Sequence, residues 1–150
     1  MGEGWISTRG RKVALATAVA FLAWFLLDWL IVTESERVAE RVEALRRDFA
    51  ARRVDACMAF VAEDYRDGTL DKAGLRAQAE NFVSSYDPNR VGYSVRSISV
   101  AEGRAEVDGV CFITPGPRSQ TPAPFRGRLM LKLRRDPDGE WRMVGMERSE

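Results

Sequence analysis

Between Val13 and Val32 the sequence runs for 20 residues with a single charge, Asp28, and a helix built from it would be apolar on every face. At ~1.5 Å of rise per residue such a helix covers roughly 30 Å, the thickness of a bilayer's hydrocarbon core. A helix packed in a soluble domain ordinarily keeps one polar face, so the segment is expected to be a single transmembrane helix. A cleavable signal peptide is the rival, but its apolar region is usually ~7–15 residues long and closes on an A-x-A site, whereas Thr33-Glu34-Ser35 follows here. Arg9, Arg11 and Lys12 crowd the leading flank and Thr33-Glu34-Ser35-Glu36 the trailing one. That bias places residues 1–12 as a cytoplasmic tail and residues 33–150 outside a plasma (inner) membrane of bacterial type. Arg37, Arg41, Arg46 and Arg47, inside the same counting window, pull the other way. Asp28, one turn from the outer end beside Trp29, is either an interfacial carboxylate or a polar contact to a partner helix.

Roughly 115 residues remain, enough for one domain with one core. Lys and Arg number 23 against 22 Asp and Glu; setting aside Glu3, Arg9, Arg11, Lys12 and Asp28 leaves 20 of each sign, so bulk charge does not draw nucleic acid. Histidine is absent, which excludes imidazole acid–base chemistry, His-based triads and His-ligated metals. Cys57 and Cys111, the two cysteines, lack CxxC spacing and are expected as small core residues. Nothing calls for a cofactor, and no metal site is expected: Glu63, Asp64, Asp67 and Asp71 lack the ligand spacing of a calcium loop and suit helix starts and turns.

From Glu34 to Asp64 there is neither Gly nor Pro, and Val38, Val42, Leu45 and Phe49 recur at helical spacing. The stripe is too short for a coiled coil and is expected to pack on its own domain. Arg52-Arg53-Val54-Asp55 predicts a bend, with Asp55 capping a second helix through Cys57, Met58, Phe60 and Val61. Asp67-Gly68 predicts a turn, and Asp71 the N-cap of a third helix with the stripe Leu75, Ala79, Phe82 and Tyr86, stopped by Asp87-Pro88-Asn89.

Thereafter the period changes to two, and four strands are expected. Tyr93 and Val95 are out of phase with Ile98 and Val100, which predicts a bulge between them. Ala105, Val107, Gly109, Cys111 and Ile113 alternate with polar neighbours, as do Phe125, Gly127, Leu129, Leu131 and Leu133 with Arg126, Arg128, Met130, Lys132 and Arg134. Asp136-Pro137-Asp138-Gly139 turns the chain into a last strand, Glu140 to Glu147. Pro115 to Pro124 holds four of the six prolines and reads as a long exposed loop. Phe49, Phe60, Phe82, Leu129, Leu131 and Trp141 are expected to be largely buried between helices and sheet.

Helices followed by a meandering antiparallel sheet make an α+β order, with three helices covering one face of a curved, four-stranded sheet. The order of Asp55-Ala-Cys-Met-Ala-Phe-Val-Ala-Glu-Asp-Tyr65, Asp67-Gly68 before Asp71-Lys-Ala-Gly-Leu-Arg76, Gly103-Arg-Ala-Glu-Val-Asp-Gly-Val110 and Asp138-Gly-Glu-Trp-Arg-Met-Val144 resembles the nuclear-transport-factor-2-like superfamily. This superfamily is also called SnoaL-like or ketosteroid-isomerase-like, and the resemblance covers Val38 to Glu147. It departs from the fuller pattern where a short strand pair usually separates the second and third helices, since only Tyr65-Arg66-Asp67-Gly68 stands there.

The resemblance implies a cone-shaped pocket but no particular reaction, because members include enzymes, small-ligand binders and assembly modules. Tyr65, Asp67, Tyr86, Tyr93, Asp108 and Trp141 are the pocket candidates. In isomerase-like members a tyrosine and carboxyl groups meet in such a pocket, yet Asp108 alternates out of phase with Val107 and Cys111 and should point away from the core unless a bulge rotates it. No catalytic residue is assigned. The resemblance also implies a homodimer through the open sheet surface, with Arg128, Met130, Lys132, Val144 and Met146 as the dimer face, and a small apolar ligand as a possible partner. The expected role is non-catalytic, in ligand binding or assembly at the cell envelope. An isomerase-like or cyclase-like enzyme and a scaffold subunit of an envelope or secretion complex are the alternatives.

Overall fold

The computed structural model describes residues 17–22, 24, 33–121 and 123–149. Residues 17–22 and 24 are helical. Among the described residues no helix is long and apolar enough to cross a membrane; the expected span, Val13 to Val32, lies largely outside them.

From Glu34 onward the chain forms one compact unit. Helix α1 (Glu34–Ala50) buries Val38 and Val42, as its apolar stripe requires. Arg52 then takes a left-handed conformation (φ 62°), which makes the bend. Helix α2 (Val54–Ala59) follows with Arg53 at the N-cap and no capping side chain. This corrects the expectation for Asp55, which lies inside the first turn and pairs with Arg76 at 2.5 Å. A two-stranded hairpin, β1 (Arg66–Asp67) with β2 (Leu70–Asp71), comes next around Gly68, whose φ of 57° suits glycine. The short strand pair read as missing is therefore present. Its lack of alternating apolar residues left no period for a sequence reading to detect. Helix α3 (Lys72–Tyr86) starts at Asp71, whose side chain accepts from the Gly74 N–H at 2.8 Å, and ends at Asp87 in a left-handed conformation.

Strands β3 (Pro88–Ala101), β4 (Arg104–Pro115), β5 (Phe125–Arg135) and β6 (Trp141–Ser149) form an antiparallel meander in that order. Glu102 and Gly103, both with positive φ, close a two-residue hairpin of the kind that matches strand twist. The register shifts between Val95 and Ser97, so the expected bulge exists and Arg96 is its extra residue. A second bulge was not foreseen. Lys132 pairs with Gly145 but Leu133 with Met143, which leaves Val144 as the extra residue. Beyond it the phase of β6 reverses: Met146 lies opposite Leu131 and packs against the core. Met146 thus leaves the outer face, where simple alternation had placed it with Arg128, Met130, Lys132 and Val144.

The core lies between the helices and the concave sheet face and includes Val38, Val42, Met58, Phe60, Val61, Tyr65, Val107, Leu131, Leu133, Trp141 and Met143. Phe60, Leu131 and Trp141 are buried as expected. Phe49, Phe82 and Leu129 are only half-buried. They face a space that the side chains do not fill.

The loop from Pro115 to Pro124 is tied down more than its composition suggests. Gly116 N–H donates to Asp87 O, Gln120 N–H to Ser85 O, and the Tyr86 hydroxyl to Ala123 O. The Asp87 carboxylate, buried, accepts from Arg118 N–H and pairs with Arg52 at 2.5 Å. The loop is strapped across the end of α3.

Candidate functional site

The unfilled space is an apolar cavity of about 350 Å³ opening to solvent between the three helices and the sheet. Helix α1 contributes Val42, Leu45, Arg46 and Phe49, α2 contributes Cys57 and Met58, and α3 contributes Leu75, Gln78, Ala79 and Phe82. The sheet supplies Val91, Tyr93, Cys111, Ile113, Phe125, Leu129, Leu131, Met143 and Met146. The cavity persists because α3 is anchored at its ends: the Asp71 cap and β2 hold its start, and at its finish the Tyr86 hydroxyl donates to the Ala123 carbonyl at 2.6 Å with the Ile113 carbonyl 3.1 Å away. Between these points its stripe stands off the sheet.

Glycines shape the sheet beneath. A Cβ on Gly109 would meet the Tyr93 ring at 2.6 Å and the Ser94 carbonyl at 2.8 Å, and one on Gly127 would meet the Phe125 ring at 3.1 Å. Both aromatic rings therefore lie across bare backbone on the concave side, a common use of glycine where a sheet curves. The Tyr93 hydroxyl lies 3.0 Å from the carbonyls of both Val107 and Leu129, which share its one proton. Burial, then the charge of Asp108, pushes its phenol well above the ordinary range. Burial likewise raises the cavity-lining thiols, Cys57 to about 11 and Cys111 in the same direction. Both cysteines are free.

Of the six pocket candidates, Tyr93 lines the cavity. Tyr65 is 1% exposed beneath the carboxylate-rich turn, its hydroxyl without a hydrogen-bond partner among the described residues and its pKa raised to about 12, chiefly by burial and then by Asp67. Asp67 lies in the β1–β2 hairpin. Tyr86 is the anchor of α3, and the Trp141 indole donates to Glu34 at 3.1 Å from within the core. Asp108 is on the outer face, where Arg128 donates to both of its oxygens at 2.9 Å and holds its carboxyl below the usual range. The bulge at Arg96 lies on β3 and does not rotate Asp108 inward.

Among the described residues no carboxylate lines the cavity, and its single charged lining residue, Arg46, is paired with Glu43 at 2.5 Å and bonded to the Val91 carbonyl. No group of three or more potential metal ligands exists among the described residues. The cavity residues missed from sequence, such as Phe49, Ala79, Phe82 and Leu129, carry the same apolar pattern as core residues; only their spacing in three dimensions distinguishes them. The other carboxylates of the turn are engaged: Glu63 with Lys72 at 2.6 Å, Asp64 with Arg134 at 2.8 Å.

No family model matches the chain, and no curated protein matches its sequence. Solved structures do share its fold. A protein described as NTF2-like from Cytophaga hutchinsonii is 12% identical, with a TM-score of 0.66 over 79% of this chain and 98% of that one. A ketosteroid isomerase-like protein from Erwinia carotovora atroseptica is 16% identical, with a TM-score of 0.57 over 77% of this chain and 95% of that one. Bdellovibrio bacteriovorus Bd1075 is 10% identical with a TM-score of 0.61, and this chain, 75% covered, spans 38% of its length. At such identities the likeness establishes architecture, and the domain from Glu34 onward is an α+β domain with the fold of NTF2-like and ketosteroid isomerase-like proteins.

Proposed function

We propose that this chain is a membrane-anchored, non-catalytic binder of small apolar molecules, with the cavity of the NTF2-like domain as the binding site. The observation that carries this reading is an open apolar cavity with no carboxylate in its lining and a tyrosine hydroxyl committed to two backbone carbonyls. Acid–base catalysis needs a proton donor or acceptor aimed at the ligand, whereas binding needs only shape and apolar surface. Cavities of ~300–1,000 Å³ are the usual size for small-molecule sites, and this one is at the small end. A neutral fluorescent probe such as N-phenyl-1-naphthylamine should bind the protein, and Ala79→Phe, which fills the cavity from α3, should weaken binding by at least about tenfold while the thermal melt remains cooperative. Equal binding by the filled variant, or none by the natural chain, overturns the reading.

The anchor in this reading is Val13 to Val32, with the domain outside the plasma membrane. A reporter that works only outside the cytoplasm, fused after Glu150, should be active; activity solely from a cytoplasmic reporter reverses the orientation.

A second copy of the chain is the favoured partner for the outer sheet face. Phe112, 40% exposed, stands there between Gly92 and Arg126, with Val110 and Met130 half-buried nearby. An exposed aromatic among cations suits the centre of an interface better than a solvated face. Sedimentation of the domain should give a dimer that Phe112→Glu dissociates, and a monomeric natural domain removes this partner.

A further inference from the structure

Resting on the reading of the cavity as a ligand site, we infer that its ligand is an anionic amphiphile, with an alkyl tail inside and a carboxylate-type head at the rim held by Arg148. The bulge at Val144 decides this. Because it reverses the phase of β6, Arg148 lies opposite Leu129, on the concave side, and its guanidinium sits 5.1 Å over the ring of Phe125. Leu129 and Phe125 both line the cavity.

Arg148 is exposed and forms no ion pair with any carboxylate among the described residues. This distinguishes it from the other cation at the rim, Arg46, whose charge Glu43 already answers. The outer-face cations Arg128, Lys132, Arg134 and Arg142 are likewise each paired with a carboxylate. A guanidinium resting on an aromatic face keeps its N–H edge free for a planar anion, which it can meet with two parallel hydrogen bonds. Gln78, exposed on α3, adds an amide to the lining. With no acid in the lining, the field at the rim is positive. It favours an anionic head, tolerates a neutral one and opposes an ammonium. At about 30 Å³ per second-row group, the share a water takes in the liquid, the cavity holds roughly a dozen such groups, which matches a chain of about ten carbons.

The test uses three probes with one tail and different heads: decanoate, decanol and decylamine, each displacing N-phenyl-1-naphthylamine from the full chain. Decanoate should bind about fivefold more tightly than decanol, the scale of a partly exposed ion pair, and decylamine more weakly than either. Arg148→Gln should bring decanoate and decanol together, Arg148→Glu should invert the order, and Arg126→Gln on the outer face should leave it unchanged. Equal binding of the three probes by the natural chain, or a preference that survives Arg148→Glu, overturns the anionic assignment while leaving the cavity a ligand site. Failure of all three and of the neutral probe to bind overturns both.

Discussion

Gly109 and Tyr93 set the shape of the cavity floor between them. The Tyr93 ring crosses the strand where Gly109 has no side chain, and a methyl there would stand 2.6 Å from the ring and 2.8 Å from a carbonyl that cannot move without its strand. Gly109→Ala should therefore destabilise the domain by about 1–3 kcal/mol, the usual range for overpacking, and displace the Tyr93 hydroxyl from its two carbonyls. Gly92→Ala is the control. The atoms its Cβ would meet first all belong to the ring of Phe112, a flexible side chain that is 40% exposed, rather than to backbone, so chemical denaturation should show the smaller loss. The thiols are a second residue-scale case. With Cys57 pushed up to about 11 by burial, only about one molecule in a thousand carries its thiolate at pH 8. Iodoacetamide should label it slowly in the native protein and readily in denaturant; fast native labelling would place Cys57 at the surface.

At the scale of elements, two anchors and two bulges separate this arrangement from a filled core. Asp71 caps α3 through the Gly74 N–H, and Asp71→Ala should cost about 1 kcal/mol, as loss of a cap usually does. Along β5 the environment changes within a few residues: Leu133 is 1% exposed in the core, whereas Leu129 is half-buried at the cavity wall. Leu133→Ala should cost about 2–5 kcal/mol, the range for a fully packed leucine. Leu129→Ala should cost clearly less, because part of its surface already faces open space. Equal losses in urea melts would mean that the cavity closes in solution.

Across the whole molecule, the outer sheet face and its flanking turns are laced with ion pairs that respond to acid. Arg134 holds the Asp64 carboxyl below its ordinary range, Arg128 does so for Asp108, and Arg142 takes Asp138 to about 2. A carboxyl with a folded pKa below its unfolded value of about 3.9 contributes stability above that value and loses it as pH falls through the folded pKa. The melting temperature should therefore hold between about pH 5 and 7 and decline from about pH 4 toward pH 2. Asp108→Asn should flatten part of that decline. A melting temperature that rises on acidification would contradict the assignment of these pairs.

Much of this architecture was legible in the residues: the stripe from Val38 to Phe49, the Asp71 cap, the two-residue period from Ala105 onward and the bulge before Ile98. These are local signals, in which the period of side chains and the chemistry of caps and turns act over a few neighbours. The apolar run from Val13 to Val32 is a signal of the same kind, and the proposed anchor rests on it. The β1–β2 hairpin, the bulge at Val144 and the cavity were not legible. Two-residue strands carry no period, and Val144 continues the alternation of its strand until pairing with β5 shifts it. An apolar residue facing empty space is chemically identical to one facing a neighbour. Sequence by itself determined which residues are apolar and where elements start and stop. Only the tertiary structure decided that Asp108 turns outward to Arg128, that Met146 and Arg148 turn inward, and that α3 stands off the sheet, because these depend on register and distance between segments remote in the chain.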